Sequence, residues 1–372
     1  MTTPGTDHSV TPPEAPTGRP PAEPTVRAPE ELAAIAARVQ VRLGEILDAE
    51  RRQWAALDPS LDEPLGDLAD LVLGGGKRIR PAYCHWGWLL GGGAPDGAGA
   101  LDGGCALEIL HAFALAHDDV MDGSDTRRGA PTVWRKFVDR HRERGWHGED
   151  RRFGEAAAVL VGDMAMVLAD RTLGEVSPET RAVWDALRTE LNMGQYLDVV
   201  GSARGRASAQ EALRVIEHKT ARYTVVRPLQ LGAALAGRAD LAEPLARHGL
   251  PVGIAFQLRD DVLGAFGDPS ATGKPVGDDL REAKPTLLMA MARSCASESE
   301  REVLDIVGSQ MDDETVAVVQ QVIIDTGALA DLEDEIAGLL DEALEALDDL
   351  PDVPEAKSAL AATARFIAHR QS

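Results

Sequence analysis

The chain has 372 residues, 44% of them hydrophobic and 27% charged, which is ample apolar material for a sizeable core. Its 38 basic and 61 acidic side chains leave a net charge of −23, a field that excludes nucleic acid or an anionic membrane surface as partner. A phosphate-bearing ligand therefore needs local cations or metal ions, and the three cysteines (Cys84, Cys105 and Cys295) are too few for a disulfide framework and read as reduced, buried thiols.

Residues 1–29 hold Pro4, Pro12, Pro13, Pro16, Pro20, Pro21, Pro24 and Pro29 and almost no large apolar side chain. Such a segment cannot offset its ordering entropy by burial and is expected to be a disordered tail. It lacks the basic start and apolar centre of a secretory signal. A long helix is predicted directly after it, with Leu32, Ile35, Ala36, Val39, Leu43, Ile46 and Leu47 on one stripe. Gly91 to Gly104 reads as a loop between helices, and an apolar helical run follows from Leu107 to Leu115. His141 to Arg152 is dense in charge and reads as an exposed loop, with His141 and His147 solvated in it. The nearest approach to a membrane span is Ala156 to Ala169, broken by Asp163 and short of the ~18–20 residues required.

Helical spacing returns at Leu187 and Leu191, at Leu213 and Ile216, at Val316, Val319 and Ile323, and at Leu332, Ile336, Leu339 and Leu340. Val318 to Ile324 is β-branched, but the three-four spacing and the stop at Gly327 favour helix. With 4% aromatic residues and almost no strand-type alternation, residues 30–372 read as a single all-α domain, a bundle of many antiparallel helices. A soluble, cytoplasmic protein is expected.

Chemistry concentrates at His117-Asp118-Asp119-Val120-Met121-Asp122, at the end of an apolar helix. On a helix Asp118, Asp119 and Asp122 are expected to crowd one patch, where like charges repel unless a divalent cation is present. Oxygen ligands of this kind suit Mg²⁺ shared with substrate phosphates. Phe256-Gln257-Leu258-Arg259-Asp260-Asp261 supplies a second acidic patch, and Asp268 falls two turns beyond Asp261 if the helix runs on through Gly264 and Gly267. Two such clusters suggest metals gripping one diphosphate from both sides. Lys77 and Arg80 follow a glycine run at 74–76, where the absence of Ser or Thr after Lys77 rejects a P-loop. Arg127, Arg128, Lys219, Lys274 and Lys284 add cations near the acidic motifs.

In order and spacing these motifs resemble the trans-isoprenyl diphosphate synthases, the polyprenyl synthetase family. The likeness runs through Gly-Gly-Lys-Arg-Ile-Arg-Pro at 75–81, the acidic motif at 117–122, Arg-Arg-Gly at 127–129 and Gly-Gln-Tyr-Leu-Asp at 194–198. It continues through Lys219-Thr220, the motif at 256–261 and Gly-Lys-Pro-Val-Gly-Asp-Asp-Leu at 273–280. The resemblance implies the isoprenoid synthase fold, helices around a deep central cavity, and a homodimer. It implies that Asp118, Asp119 and Asp122 bind Mg²⁺ bridged to an allylic diphosphate (dimethylallyl, geranyl or farnesyl), with Asp260 and Asp261 facing them. Asp198 would join the metal shell beside Gln195. Lys77, Arg80, His111 and Arg128 match positions holding isopentenyl diphosphate, and Arg127, Lys219, Gln257, Lys274 and Lys284 match allylic diphosphate contacts. Thr220 accompanies Lys219 there.

The family's second motif often ends in aspartate where this chain has Gly264, and Asp268 is a candidate substitute. Phe113, five residues before Asp118 beside the small Ala114, is expected to form the floor of the prenyl pocket. That points to geranylgeranyl diphosphate as product. A farnesyl diphosphate synthase is the alternative, and a class I terpene cyclase a further one, although a cyclase has no use for Lys77, Arg80 and His111.

Overall fold

The computed structural model describes residues 29–267, 276–308 and 311–370. All but the last residue of the expected tail, and with it Asp268 and Lys274, lie outside the described residues. Helix α1 (Glu30–Ala55) starts directly after Pro29 and buries Leu32, Ile35, Val39, Leu43 and Leu47, the stripe read from the sequence. There follow α2 (Asp62–Leu73), α3 (Ile79–Leu90) and α4 (Ala98–Asp122). A two-stranded hairpin, β1 (Thr126–Arg127) and β2 (Ala130–Pro131), turns through Arg128 and Gly129, both at positive φ as a tight right-twisting hairpin requires.

The chain continues as α5 (Val133–Glu143), α6 (Asp150–Leu173), α7 (Pro178–Arg204) and α8 (Ala209–Val215). Ser177 caps α7 by accepting from the Thr180 amide, with Pro178 in the first turn, and Ser208 and Glu211 form a capping box on α8. A π-helical segment, Ile216–Val226, then leads into α9 (Arg227–Leu235) and α10 (Ala242–Phe266). Beyond it lie α11 (Asp278–Arg281), α12 (Leu287–Cys295), α13 (Glu298–Leu304), α14 (Asp313–Asp325), α15 (Ala328–Glu345) and α16 (Pro354–His369).

One apolar cluster unites α1 to α7, α9 and α16 through residues such as Val39, Leu68, Trp86, Leu107, Trp184 and Leu360. A second gathers Leu258 and Val262 of α10 with Leu280, Leu288, Val319 and Leu332. Helix α4 is covered on several sides, and its buried face includes Cys105, Leu107, Ile109, Leu110 and Phe113. Taken singly it is the one described helix long and apolar enough to cross a membrane, ahead of the 156–169 run. Because 61% of that apolar window is buried by its neighbours, its composition is that of a central bundle helix.

Two expected loops are shorter than read. Helix α4 begins at Ala98, inside the Gly91 to Gly104 stretch, because glycine serves there to bring helices close: Gly103 faces Cys84 and Leu235, and Gly104 packs on Pro81. The charged loop is confined to 144–149, and His141 is buried at the end of α5, its Nε2 3.2 Å from the His147 carbonyl oxygen.

The tightest helix contact is between α3 and α9, where a Cβ on Gly232 would land on the Cys84 carbonyl oxygen. Gly232→Ala is therefore expected to destabilise the fold by about 1–3 kcal/mol or more, as overpacking does. The urea unfolding midpoint, read at constant m, checks it.

Candidate active site

The main cleft, of about 1080 Å³, is lined by Asp118 and Asp122 of α4, Asp198 of α7, Lys219 and Thr220 of the π segment, Gln257 and Asp261 of α10, and Asp279 and Lys284 beyond it. Asp118 accepts hydrogen bonds from Gln195 Nε2 at 2.7 Å and from Lys219 Nζ at 3.2 Å, and the same ammonium reaches Asp198 at 2.5 Å. Burial works against the Lys219 charge, but Asp118 and Asp198 outweigh it and raise its pKa. The enclosing walls of the cleft, and then the neighbouring Asp118, push the Asp122 carboxyl up to about 6.

Asp119 does not share this patch. Consecutive helical residues point about 100° apart, and Asp119 turns inward to a side-chain exposure of 1%, where Arg127 holds it through Nη2 at 2.7 Å and Nε at 3.0 Å. Of the three carboxylates on α4, Asp118 and Asp122, one turn apart, are the two that line the cleft.

On the opposite wall α10 runs through Gly264 and ends at Phe266, with Gly267 extended. Asp261 is buried and accepts from Gln257 Nε2 at 2.8 Å, while Gln257 Oε1 accepts from Thr220 Oγ1 at 2.8 Å. Burial, reinforced by Asp279 and Asp260, pushes Asp261 up to about 8. Asp260 turns instead to Arg370, 2.5 Å away, whose guanidinium lies 4.3 Å from the centre of the Phe256 ring.

The space left by Gly264 is filled. A Cβ there would fall on the carboxylate of Asp279, which Lys284 holds at 3.0 Å while also reaching Glu282 at 3.2 Å. Oxygens of Asp278, Asp279 and Glu282 approach within 4.8 Å of one another. Asp279 thus places a carboxylate against Gly264, while Asp268, the candidate substitute, lies outside the described residues. Sequence reasoning gave Asp279 no role, although it falls in the Gly-Lys-Pro-Val-Gly-Asp-Asp-Leu motif at 273–280.

Arg80, His111 and Arg128 form a basic group between α3, α4 and the hairpin, while Lys77 has Arg370 and Asp260 as its charged neighbours. Arg80 donates to Thr224 Oγ1 at 3.1 Å and stacks on Tyr223, 4.5 Å from the ring centre, and the Tyr223 hydroxyl lies 3.4 Å from His111 Nδ1. Burial, followed by Arg80, Arg127 and Arg128, holds the His111 pKa well below its usual range, so the ring is neutral. Burial also lowers the pKa of Lys77, whose ammonium lies 5.2 Å from the Phe366 ring centre. Arg128 diverges from Arg127 and donates to the Gly75 carbonyl at 2.5 Å. Phe113 is buried on α4 with its ring edge-on to His117, centroids 4.6 Å apart, and is not among the residues lining the main cleft.

The π segment makes these assignments compatible. Its wide turns aim Lys219 at α4 and α7, Thr220 at α10, and Tyr223 and Thr224 at Arg80. It lies so close to α7 that a Cβ on Gly194 would meet the Lys219 backbone nitrogen.

The donors in the cleft are carboxylate oxygens on two walls, with no thiolate or imidazole among the described lining residues, and the raised pKa values of Asp122 and Asp261 mean that a cation would compete with protons there. That set fits a hard divalent ion such as Mg²⁺. A helical bundle with facing acidic walls and cations beside them suits a metal-bridged anionic substrate. The chain belongs to the polyprenyl synthetase family, whose model, described as "Polyprenyl synthetase", matches residues 62–325. It is similar to a geranylfarnesyl diphosphate synthase of Aeropyrum pernix (30% identical, covering 72% of this chain and 81% of the relative). It is also similar to a geranylgeranyl diphosphate synthase of Mycobacterium tuberculosis (34% identical, covering 66% and 69%). Among solved structures, geranylgeranyl pyrophosphate synthase from Corynebacterium glutamicum, complexed with isoprenyl diphosphate and magnesium, superposes with a TM-score of 0.86 at 39% identity, covering 91% of this chain and 99% of that one.

Gly194→Ala is expected to push Lys219 off Asp118 and Asp198 and to lower kcat by about two orders of magnitude, with a smaller effect on KM, as misplacement of a reacting-site group does. Steady-state kinetics on the folded variant checks this.

Proposed function

We propose that the protein condenses an allylic diphosphate (dimethylallyl, geranyl or farnesyl) with isopentenyl diphosphate to give a short trans-prenyl diphosphate, chiefly geranylgeranyl diphosphate, with farnesyl diphosphate next. The observation that carries this reading is the cleft with Asp118, Asp122 and Asp198 on one wall and Asp261 and Asp279 on the other. These carboxylates would hold Mg²⁺, which when bound supplies Lewis-acid stabilisation of the leaving diphosphate. Lys219, Thr220, Gln257 and Lys284 flank the same diphosphate, and Lys274 joins them on resemblance alone. Asp119 and Asp260 act through their arginines, Arg127 and Arg370.

Lys77, Arg80, His111 and Arg128 hold the diphosphate of isopentenyl diphosphate. That pocket separates this reading from a cyclase, which needs no second diphosphate site. The allylic C–O bond breaks with its electron pair leaving on the diphosphate, and the isopentenyl double bond attacks the allylic carbon. The proton then lost passes to the departing diphosphate. Positioned cations lower the barrier by stabilising charge as it develops, and no covalent nucleophile is needed.

The reading extends to a homodimer in the cytoplasm. Exposed Val159, Leu160 and Val167 on α6, beside an apolar groove of about 600 Å³ lined by Trp54, Leu61 and Met164, support the dimer. Three free thiols support a reducing compartment.

Incubation with labelled isopentenyl diphosphate, each primer and Mg²⁺, with chromatography of the dephosphorylated products, tests the assignment. Geranylgeraniol is expected as the main product, and failure to consume isopentenyl diphosphate with any primer rejects the reading. Asp118→Ala is expected to lower turnover by about two orders of magnitude or more with the fold intact. Phe113→Ala is expected to lengthen the product while ionisation persists, and an unchanged product from a folded, active variant would place the pocket floor elsewhere.

A further inference from the structure

The loop from Gly74 to Arg78, between α2 and α3, carries Lys77 and leads into Arg80. Gly75 and Gly76 have φ of +89° and +138°, and Arg78 itself sits at φ +49° and ψ +41°. A left-handed arginine is a strained choice that persists only where the surroundings over-determine it. Here they do. The Arg78 side chain, 5% exposed, pairs with the equally buried Glu108 of α4 and donates to Gln40 Oε1 of α1 and to the Val72 carbonyl of α2, each at 2.7 Å. Gln40 donates in turn to the Leu73 carbonyl at 3.1 Å, and Arg128 to Gly75 at 2.5 Å. Successive carbonyls at the end of α2 are thus taken by side chains from α1, the loop and the hairpin.

A buried ion pair contributes little net stability, because desolvating two charges cancels most of their attraction. Neither Arg78 nor Glu108 lines the main cleft. Each does lie next to groups that face a substrate: Arg78 between Lys77 and Arg80, Glu108 one turn before His111. With its guanidinium donors committed to Glu108, Gln40 and Val72, Arg78 is not itself an anion ligand.

We infer that the buried Arg78–Glu108 pair is the positioning element of the acceptor pocket, setting Lys77 and Arg80 at a fixed distance from His111 on α4 without touching a diphosphate. The inference rests on the reading above that those three residues hold isopentenyl diphosphate. Arg78 and Glu108 are positioning residues, and their loss acts on one substrate.

The double variant Arg78→Met/Glu108→Leu replaces the pair by apolar side chains of similar size, an exchange that in general keeps or raises stability. Its melting temperature is nevertheless expected to fall by a few degrees, because the Val72 carbonyl and Gln40 Oε1 lose their donor, with the fold kept. The KM for isopentenyl diphosphate is expected to rise at least about tenfold and the KM for the allylic primer to change less than about twofold, since a binding group displaced by a fraction of an ångström loses its contact. Unchanged KM values in a folded double variant, or equal rises for both substrates, overturn the inference. Should the double variant not fold, Gln40→Leu removes one partner of the guanidinium from a half-buried position. A rise of about threefold in the isopentenyl diphosphate KM alone then supports the inference and no change overturns it. Wild type and Lys77→Ala run beside them: if Lys77→Ala keeps its affinity for isopentenyl diphosphate, the pocket assignment fails. If Lys77→Ala loses affinity while the brace variants keep theirs, only the positioning role fails.

Discussion

Carboxylates brought close together in a poorly hydrated cleft repel one another and shed charge unless cations join them, and the arrangement of the cleft follows from that constraint. Each anion is met by a basic side chain or a raised pKa: Lys219 between Asp118 and Asp198, Arg127 on Asp119, Arg370 on Asp260, Lys284 on Asp279. Asp122 and Asp261 instead rise to about 6 and about 8. A fold that gathers this many like charges gives up stability at one place, which is the usual signature of a site kept for binding.

The charges can be so arranged because backbones approach one another closely. The α7 backbone meets the π segment at Gly194 without an intervening side chain, and neighbouring residues of the segment reach four different helices. Lys219 serves the acidic wall while Tyr223, four residues on, lies under Arg80.

Much of this was legible in the residue order, and the parts that were not have physical reasons. Asp118 and Asp122 were legible from helical spacing and Asp261 as a second acidic patch, whereas Asp198, Lys219 and Gln257 were joined to them by the family resemblance. Spacing does not say which way a helix is rotated, and Asp119 was therefore grouped with neighbours it turns away from. Asp279 was missed because it fills the Gly264 vacancy from another element, a relation that only the folded chain contains. The start of α4 was read as loop because glycine marks both turns and close helix contacts. His141 was read as solvated because charged neighbours on an amphipathic helix conceal its buried face.

Helix direction has one more consequence. Helix α4 ends at Asp122, and Asp261 lies within the last two turns of α10, so both acidic walls stand near C-terminal poles, each carrying roughly half a negative charge. Arg80 lies in the first turn of α3, at the opposite, electropositive pole. On the assignment proposed above, a bare diphosphate is repelled by the acidic walls and welcomed at α3, whereas one already complexed with metal has the reverse preference. On that assignment the polarity of the backbone would sort donor from acceptor by their state of metallation, before either hydrocarbon chain is recognised.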